Sequence, residues 1–155
     1  MARLIFLDNG TLGVAARLPD DEEGDRCQAW IIAHVTGREL VIIPEPADNE
    51  VWRSLLKAGA REGLERLDGL KTWGLLTYLP FSTEAMLRAA GMWADVRRRC
   101  LPTAGAEALD GATILAGQAV AYSGHGEEVI IAIGNRRRFS RLAGIHRADE
   151  WAKIT

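Results

Sequence analysis

The chain has 155 residues, 48% of them apolar and 26% charged, which excludes a disordered chain and suits one domain with a core of its own. A formal charge of −2 excludes a protein that holds nucleic acid by net charge, so any grip on a polyanion must come from local basic patches. The two cysteines, Cys27 and Cys100, are far apart and in no metal-ligand spacing; they fit free thiols in a reducing compartment.

The chain enters its first apolar run, Leu4 to Leu7, directly after Met1-Ala2-Arg3. That run is too short for a membrane span or a signal core, so the expectation is a cytoplasmic protein with no membrane part. Three more runs of strand length follow, Leu40 to Ile43, Leu75 to Leu79 and Val129 to Ile133. Continuous apolar runs, rather than alternating ones, indicate strands covered on both faces. The segments between them are helical in pattern. Gln28 to Val35 places Trp30, Ile31 and Val35 on one stripe before Gly37. Pro46 stands at a first helical position, with Val51, Leu55 and Leu56 at helical spacing after it. Ser82 caps a helix that carries Met86, Ala89, Trp93, Val96 and Cys100 inward and stops at Pro102. Glu107 to Tyr122 is a last helix, with Ala108, Leu109, Ala112, Leu115, Ala116 and Ala119 inward and Gly124 closing it. Strands alternating with helices predict a three-layer α/β/α sandwich with a mainly parallel sheet, over a single domain, residues 1–155.

Three acids stand where such a fold puts its sites. Asp8 closes the first strand, at the edge where open α/β sheets bind ligands. Asp8-Asn9-Gly10-Thr11 also reads as a turn whose acid caps the next helix. Glu50 follows the second strand by seven residues, near Glu45 and Asp48, and Asp110 lies three residues after Glu107 in the first turn of the last helix. Either suits a helix dipole without further function. Taken together, strand ends and helix starts on one edge let the three converge. Carboxylates gathered without partners repel, and a hard cation such as Mg²⁺ or Mn²⁺ removes that cost, polarises a phosphate and activates water.

The ordered set Leu4-Ile-Phe-Leu-Asp8, Val41-Ile-Ile-Pro-Glu-Pro-Ala-Asp-Asn-Glu50, Leu109-Asp110-Gly-Ala-Thr-Ile-Leu-Ala116 and Val129-Ile-Ile-Ala-Ile-Gly-Asn135 resembles the PIN domain family, most closely its VapC-like toxin branch. The resemblance spans nearly the whole chain and continues through Phe139 and Leu142-Ala-Gly-Ile145. It implies a PIN-like fold and a metal-dependent endoribonuclease in which Asp8, Glu50 and Asp110 hold Mg²⁺ or Mn²⁺, with Asn135 at the fourth polar position. It further implies RNA as substrate, a 3′-hydroxyl product, a homodimer, and an antitoxin protein that blocks the acidic pocket. The chain departs from the pattern at Asn9, where relatives place Thr or Ser, and at Ile133, where relatives place Thr.

Two arginine runs, Arg97-Arg98-Arg99 and Arg136-Arg137-Arg138 with Arg141 beyond, offer planar phosphate contacts. The second follows Asn135 directly and is the expected RNA contact; the first ends a helix, where the dipole favours cations. His34, His125 and His146 share no ligand spacing, and the five tryptophans fall mostly on apolar faces. No phosphate-binding glycine loop and no nucleophile elbow is present. The function that the resemblance to the PIN domain family implies is RNA cleavage. Its alternatives are a catalytically inactive PIN scaffold that binds RNA or a protein partner, and a different α/β enzyme acting on a small phosphorylated substrate.

Overall fold

The computed structural model describes residues 3–99, 106–123, 126–134 and 147–155. In chain order these form β1 (Arg3–Leu7), α1 (Asn9–Ala15), α2 (Glu22–Thr36), β2 (Leu40–Pro44), α3 (Glu45–Ala58) and α4 (Arg61–Thr72), then β3 (Thr77–Leu79), α5 (Thr83–Arg98), α6 (Ala106–Ser123), β4 (Glu128–Ile133) and β5 (Ala148–Glu150), with a 3-10 turn at Trp151–Lys153. The strands make one five-stranded sheet in the order β3-β2-β1-β4-β5, and every pairing is parallel. Strand order reverses at β1, which pairs with β2 on one side and β4 on the other.

Alternate strand residues feed two cores, as the pleat requires. Ile5, Leu7, Val41, Ile43, Ile130 and Ala132 face a layer made by α1 to α4 and the residues around Trp151. Leu4, Phe6, Ile42, Val129, Ile131 and Ile133 face Leu115, Ala116 and Ala119 of α6. This is the expected three-layer sandwich. β1, β2 and β4 read as continuous apolar runs because both of their faces are covered.

Several boundaries differ from expectation, each for a physical reason. α2 starts at Glu22, six residues before the apolar stripe, because Asp21 caps it through Gly24 N at 2.8 Å. β3 is shorter than the run Leu75 to Leu79: it lies at the sheet edge, and Leu75 is exposed. α1 and β5 carry no long apolar run, and α4 follows α3 after only Gly59 and Ala60, with Gly59 in the left-handed region at φ 65°. Ser82 caps α5 as expected, accepting from Ala85 N at 3.1 Å. Pro102, Gly124 and Cys100 lie outside the described residues. Cys27 is a free thiol in the core; burial, with Glu23 and Asp8 adding to it, pushes it up to about 12. Trp30, Trp52 and Trp151 pack with the first core, whereas Trp73 and Trp93 stay exposed. No helix among the described residues is long and apolar enough to cross a membrane.

Candidate functional site

β1 delivers Asp8 to the carboxyl edge of the sheet, and α1 begins with the next residue. Asp8 therefore caps α1, its Oδ1 accepting from Thr11 N at 2.6 Å. The same oxygen accepts from Gly134 N at 3.1 Å, just past the end of β4. Asp8 is buried, and the Thr11 hydroxyl donates to Ala132 O at 2.8 Å. The capping role and the place at the sheet edge thus coexist in one residue. β1 and β4 are the neighbours at which strand order reverses, so Asp8 stands in the crevice where α/β sheets bind their ligands. Glycine at 134 is required by this approach: a Cβ there would meet Gly10 C at 2.8 Å and Thr11 N at 3.1 Å.

The three acids at the start of α3 have separate partners. Glu45 Oε2 accepts from Phe81 N at 2.9 Å. Asp48 is buried and pairs with Lys71 at 3.2 Å, and Lys71 also reaches Asp68 at 3.0 Å. Burial alone would pull the Lys71 amine down, but Asp68 and Asp48 hold it above the usual lysine range. Glu50 turns the other way. Its Oε2 accepts from the side-chain amide of Asn9, and a Cβ on Gly111 would stand 2.9 Å from its Oε1. Glu50 thus packs against the first turns of α6, beside the exposed Asp110.

Glu50 and Asp110 line one cavity of about 640 Å³, with Asn49, Arg53, Phe81 and Ile114 in the same wall. Asp8 is outside that wall and joined to it through its neighbour Asn9. Among the described residues no group of three or more His, Cys, Asp or Glu side chains gathers closely enough to hold a metal ion. The fold therefore brings the three acids to one edge, and two of them to one cavity, without closing them into a cluster. Chemically, Glu50 and Asp110 offer carboxylate oxygens, a donor set for a hard, oxygen-seeking cation.

Ile133, where the family pattern has Thr, is buried in the second core against Phe6 and α6. Asn135, Arg136, Arg137, Arg138 and Arg141 lie outside the described residues. Of the other run, Arg98 pairs with Asp95 at 3.3 Å, and the Arg97 guanidinium lies 5.2 Å from the centre of the Trp93 ring. His34 is a packing residue, its ring between Glu39 and Ile154 O. Sequence reasoning passed over Phe81 and Arg53. The available signals were an aromatic directly after the edge strand and Pro80, and an arginine one helical turn beyond Glu50.

No protein-family model matches the chain, and no curated protein matches it significantly. Solved structures do. A chain of VapBC2 from Rickettsia felis, bound to a DNA fragment from their promoter, aligns with TM-score 0.65 and 10% identity over 96% of this chain and 98% of that one. A chain of DNA-bound VapBC from Salmonella typhimurium aligns with TM-score 0.65 and 16% identity over 97% and 99%. A chain of VapBC-1 from nontypeable Haemophilus influenzae gives TM-score 0.65 and 10% identity over 97% and 99%. At these identities the likeness is one of fold, and the fold is the PIN-like, VapC-type α/β/α sandwich that the sequence motifs implied.

Proposed function

We propose that this protein is a metal-dependent endoribonuclease of toxin type, acting on RNA in the cytoplasm as a homodimer and held in check by an antitoxin. The observation that carries the reading is the cavity shared by Glu50 and Asp110 at the sheet edge that Asp8 closes. The oxygen-only donor set suits Mg²⁺ or Mn²⁺, held by Asp8, Glu50 and Asp110 with Asn135 as a fourth donor. A cation held there would supply Lewis acidity toward a phosphodiester oxygen and lower the pKa of a bound water. The chain's own residues prepare the place. Thr11 and Gly134 fix the Asp8 carboxylate, so its position carries no reorganisation cost. Gly111 lets Glu50 approach α6, and Arg53 puts a cation in the cavity wall for a phosphate oxygen. Arg136, Arg137 and Arg138 follow Asn135 in sequence and are proposed as further phosphate contacts. The whole-chain likeness to chains of VapBC complexes supports the toxin reading and the antitoxin partner.

The test is incubation of a mixed RNA pool with the purified protein in Mn²⁺ and in chelator. The expected result is fragments in Mn²⁺, none in chelator, and none from Asp110→Asn in either. An intact pool, or cleavage indifferent to chelator, overturns the reading.

A second reading, an inactive scaffold that binds RNA or a protein, has one observation in its favour: the Asn9 amide engages a Glu50 carboxylate oxygen. Tight RNA binding by the wild type with no cleavage at any metal concentration would establish it.

A further inference from the structure

The acidic cavity does not end at Asp110. A second cavity of about 360 Å³ is lined by Met86, Ala89 and Trp93 of α5 together with Phe81, Asp110 and Ile114. The last three residues also line the first cavity, so the two cavities adjoin along them and together make a trough on this face. The first cavity is mixed in character, with Arg53, Glu45, Glu50 and Asp110 beside Phe81 and Ile114. The second is apolar, and Met86 and Trp93 there are exposed. The Arg97 guanidinium lies over the ring of Trp93, which lines the second cavity.

Resting on the nuclease reading above, we propose that this trough is the binding path for a single RNA strand. The phosphodiester to be cut sits at Glu50 and Asp110, an adjacent base stacks on Phe81 and Trp93, and Arg97 holds the next phosphate outward. Each part follows from chemistry on the molecule. A strand offers flat, sequence-tolerant π faces and a regular row of anions, and it needs aromatic platforms interleaved with cations. Here Arg53 lines the first cavity, Phe81 lines both, and Trp93 lines the second with Arg97 over its ring. A guanidinium stacked on indole keeps its N–H edge available for a phosphate.

The Phe81 platform is held from two sides. Its backbone N–H donates to Glu45 of α3, and buried Gln118 of α6 donates to Leu79 O and Pro80 O, both at 3.3 Å. The strand preceding Phe81 is thus tied to both helices that carry the trough acids, so platform and acids keep a fixed separation.

The experiment measures binding of a fluorescein-labelled oligouridylate in chelator, across a salt series, alongside cleavage of the mixed RNA pool in Mn²⁺. The full-length wild type is compared with Phe81→Ala, Trp93→Ala, Arg97→Gln and, as a control elsewhere on the surface, Trp73→Ala. Trp93 and Trp73 are equally exposed, at 38%, so any general loss of tryptophan appears in both. The expected result is affinity about tenfold weaker for Phe81→Ala and Trp93→Ala. For Arg97→Gln, the log-log salt slope should fall by about 0.7. Trp73→Ala should match the wild type. Wild-type affinity and slope in Trp93→Ala and Arg97→Gln overturn the proposal. So does a concentration-dependent dimer in sedimentation that Trp93→Ala dissociates without touching RNA affinity, because the groove then binds a second copy. Cleavage in Mn²⁺ with unaltered binding and KM in the trough variants removes the trough and leaves the nuclease. Trough-dependent binding without cleavage by the wild type does the reverse.

Discussion

The side-chain amide of Asn9 donates a hydrogen bond to the Glu50 carboxylate, joining residues 41 positions apart. It ties the first residue of α1 to the second turn of α3, and it engages one of the two Glu50 carboxylate oxygens. Asn9→Ser removes the long amide and frees that oxygen. The expected outcome is Mn²⁺ affinity roughly fivefold higher, from release of an interaction worth about 1 kcal/mol, with stability lowered by a similar amount. Calorimetric titration of Mn²⁺ and urea unfolding of both proteins check it. Unchanged affinity would mean that the Glu50 oxygen held by Asn9 is not one a cation needs.

Asp8 and Asp110 differ in what their loss costs the fold. Asp8 is buried and accepts two backbone N–H groups through one oxygen, whereas Asp110 is exposed. Asp8→Asn keeps an oxygen for those two donors and loses the charge, so the expected destabilisation is about 1 kcal/mol. Asp8→Ala leaves both donors without the carboxylate, at about 2 kcal/mol or more. Asp110→Asn should be within about 0.5 kcal/mol of wild type. All three should lose cleavage in Mn²⁺. Denaturant melts beside cleavage assays separate the two effects, and turnover at the wild-type level in Asp110→Asn would remove it from the chemistry.

The parts of this fold carried by local chemistry were legible from the residues. Leu4 to Leu7, Leu40 to Ile43 and Val129 to Ile133 are strands because both faces are covered, and Ser82 and Gly37 mark helix ends through their caps. What escaped depends on tertiary placement. β5 is Ala-Asp-Glu, a strand only because β4 offers it an edge. Asp8, Glu50 and Asp110 were legible as acids at the strand end and helix starts of one sheet edge. That Glu45 lines Asp110's cavity but binds Phe81 N, that Asp48 serves Lys71, and that Glu50 reaches α6 in the same cavity is decided by packing between α3, α4 and α6.

Away from the site, Glu39 bridges β1 and α2: its Oε1 lies 2.6 Å from Arg3 Nε and its Oε2 contacts His34. Burial alone would push this carboxyl up, but Arg3 and His34 overcome it and hold Glu39 below the usual carboxylate range. A carboxyl lowered on folding adds stability that is present above its unfolded value, near 4.3, and is lost as pH falls through the folded value. Glu39→Gln should therefore cost about 1–2 kcal/mol near neutral pH, and its difference from wild type should shrink as the pH drops below about 4. Urea titrations at descending pH check this; a difference that stays constant across the series would show that the pair adds no charge-dependent stability.

Gly111 provides a test in which stability and function move apart. It lies inside α6, where glycine costs a helix about 1 kcal/mol relative to alanine. A Cβ there would stand 2.9 Å from Glu50 Oε1 and 3.8 Å from its Cδ, and among the described residues meets nothing else within 4 Å. The obstructing atom is the far end of a flexible side chain, so Glu50 can swing aside and the helix can keep its gain. Swinging aside breaks the bond to Asn9, at about 1 kcal/mol, so the two terms nearly cancel. Gly111→Ala should thus unfold within about 1 kcal/mol of the wild type. The displaced carboxylate, however, leaves its place in the cavity wall that it shares with Asp110. Mn²⁺ affinity should fall roughly 10- to 100-fold, the loss typical when a residue that positions a ligand is disturbed, and cleavage at limiting metal should fall with it. Wild-type Mn²⁺ affinity with wild-type stability would mean that Glu50 moves freely without consequence, and that Asp8 and Asp110 hold the ion without it. A loss of several kcal/mol would mean that Glu50 is wedged between α3 and α6 as a packing element, and that its place beside Asp110 serves the fold.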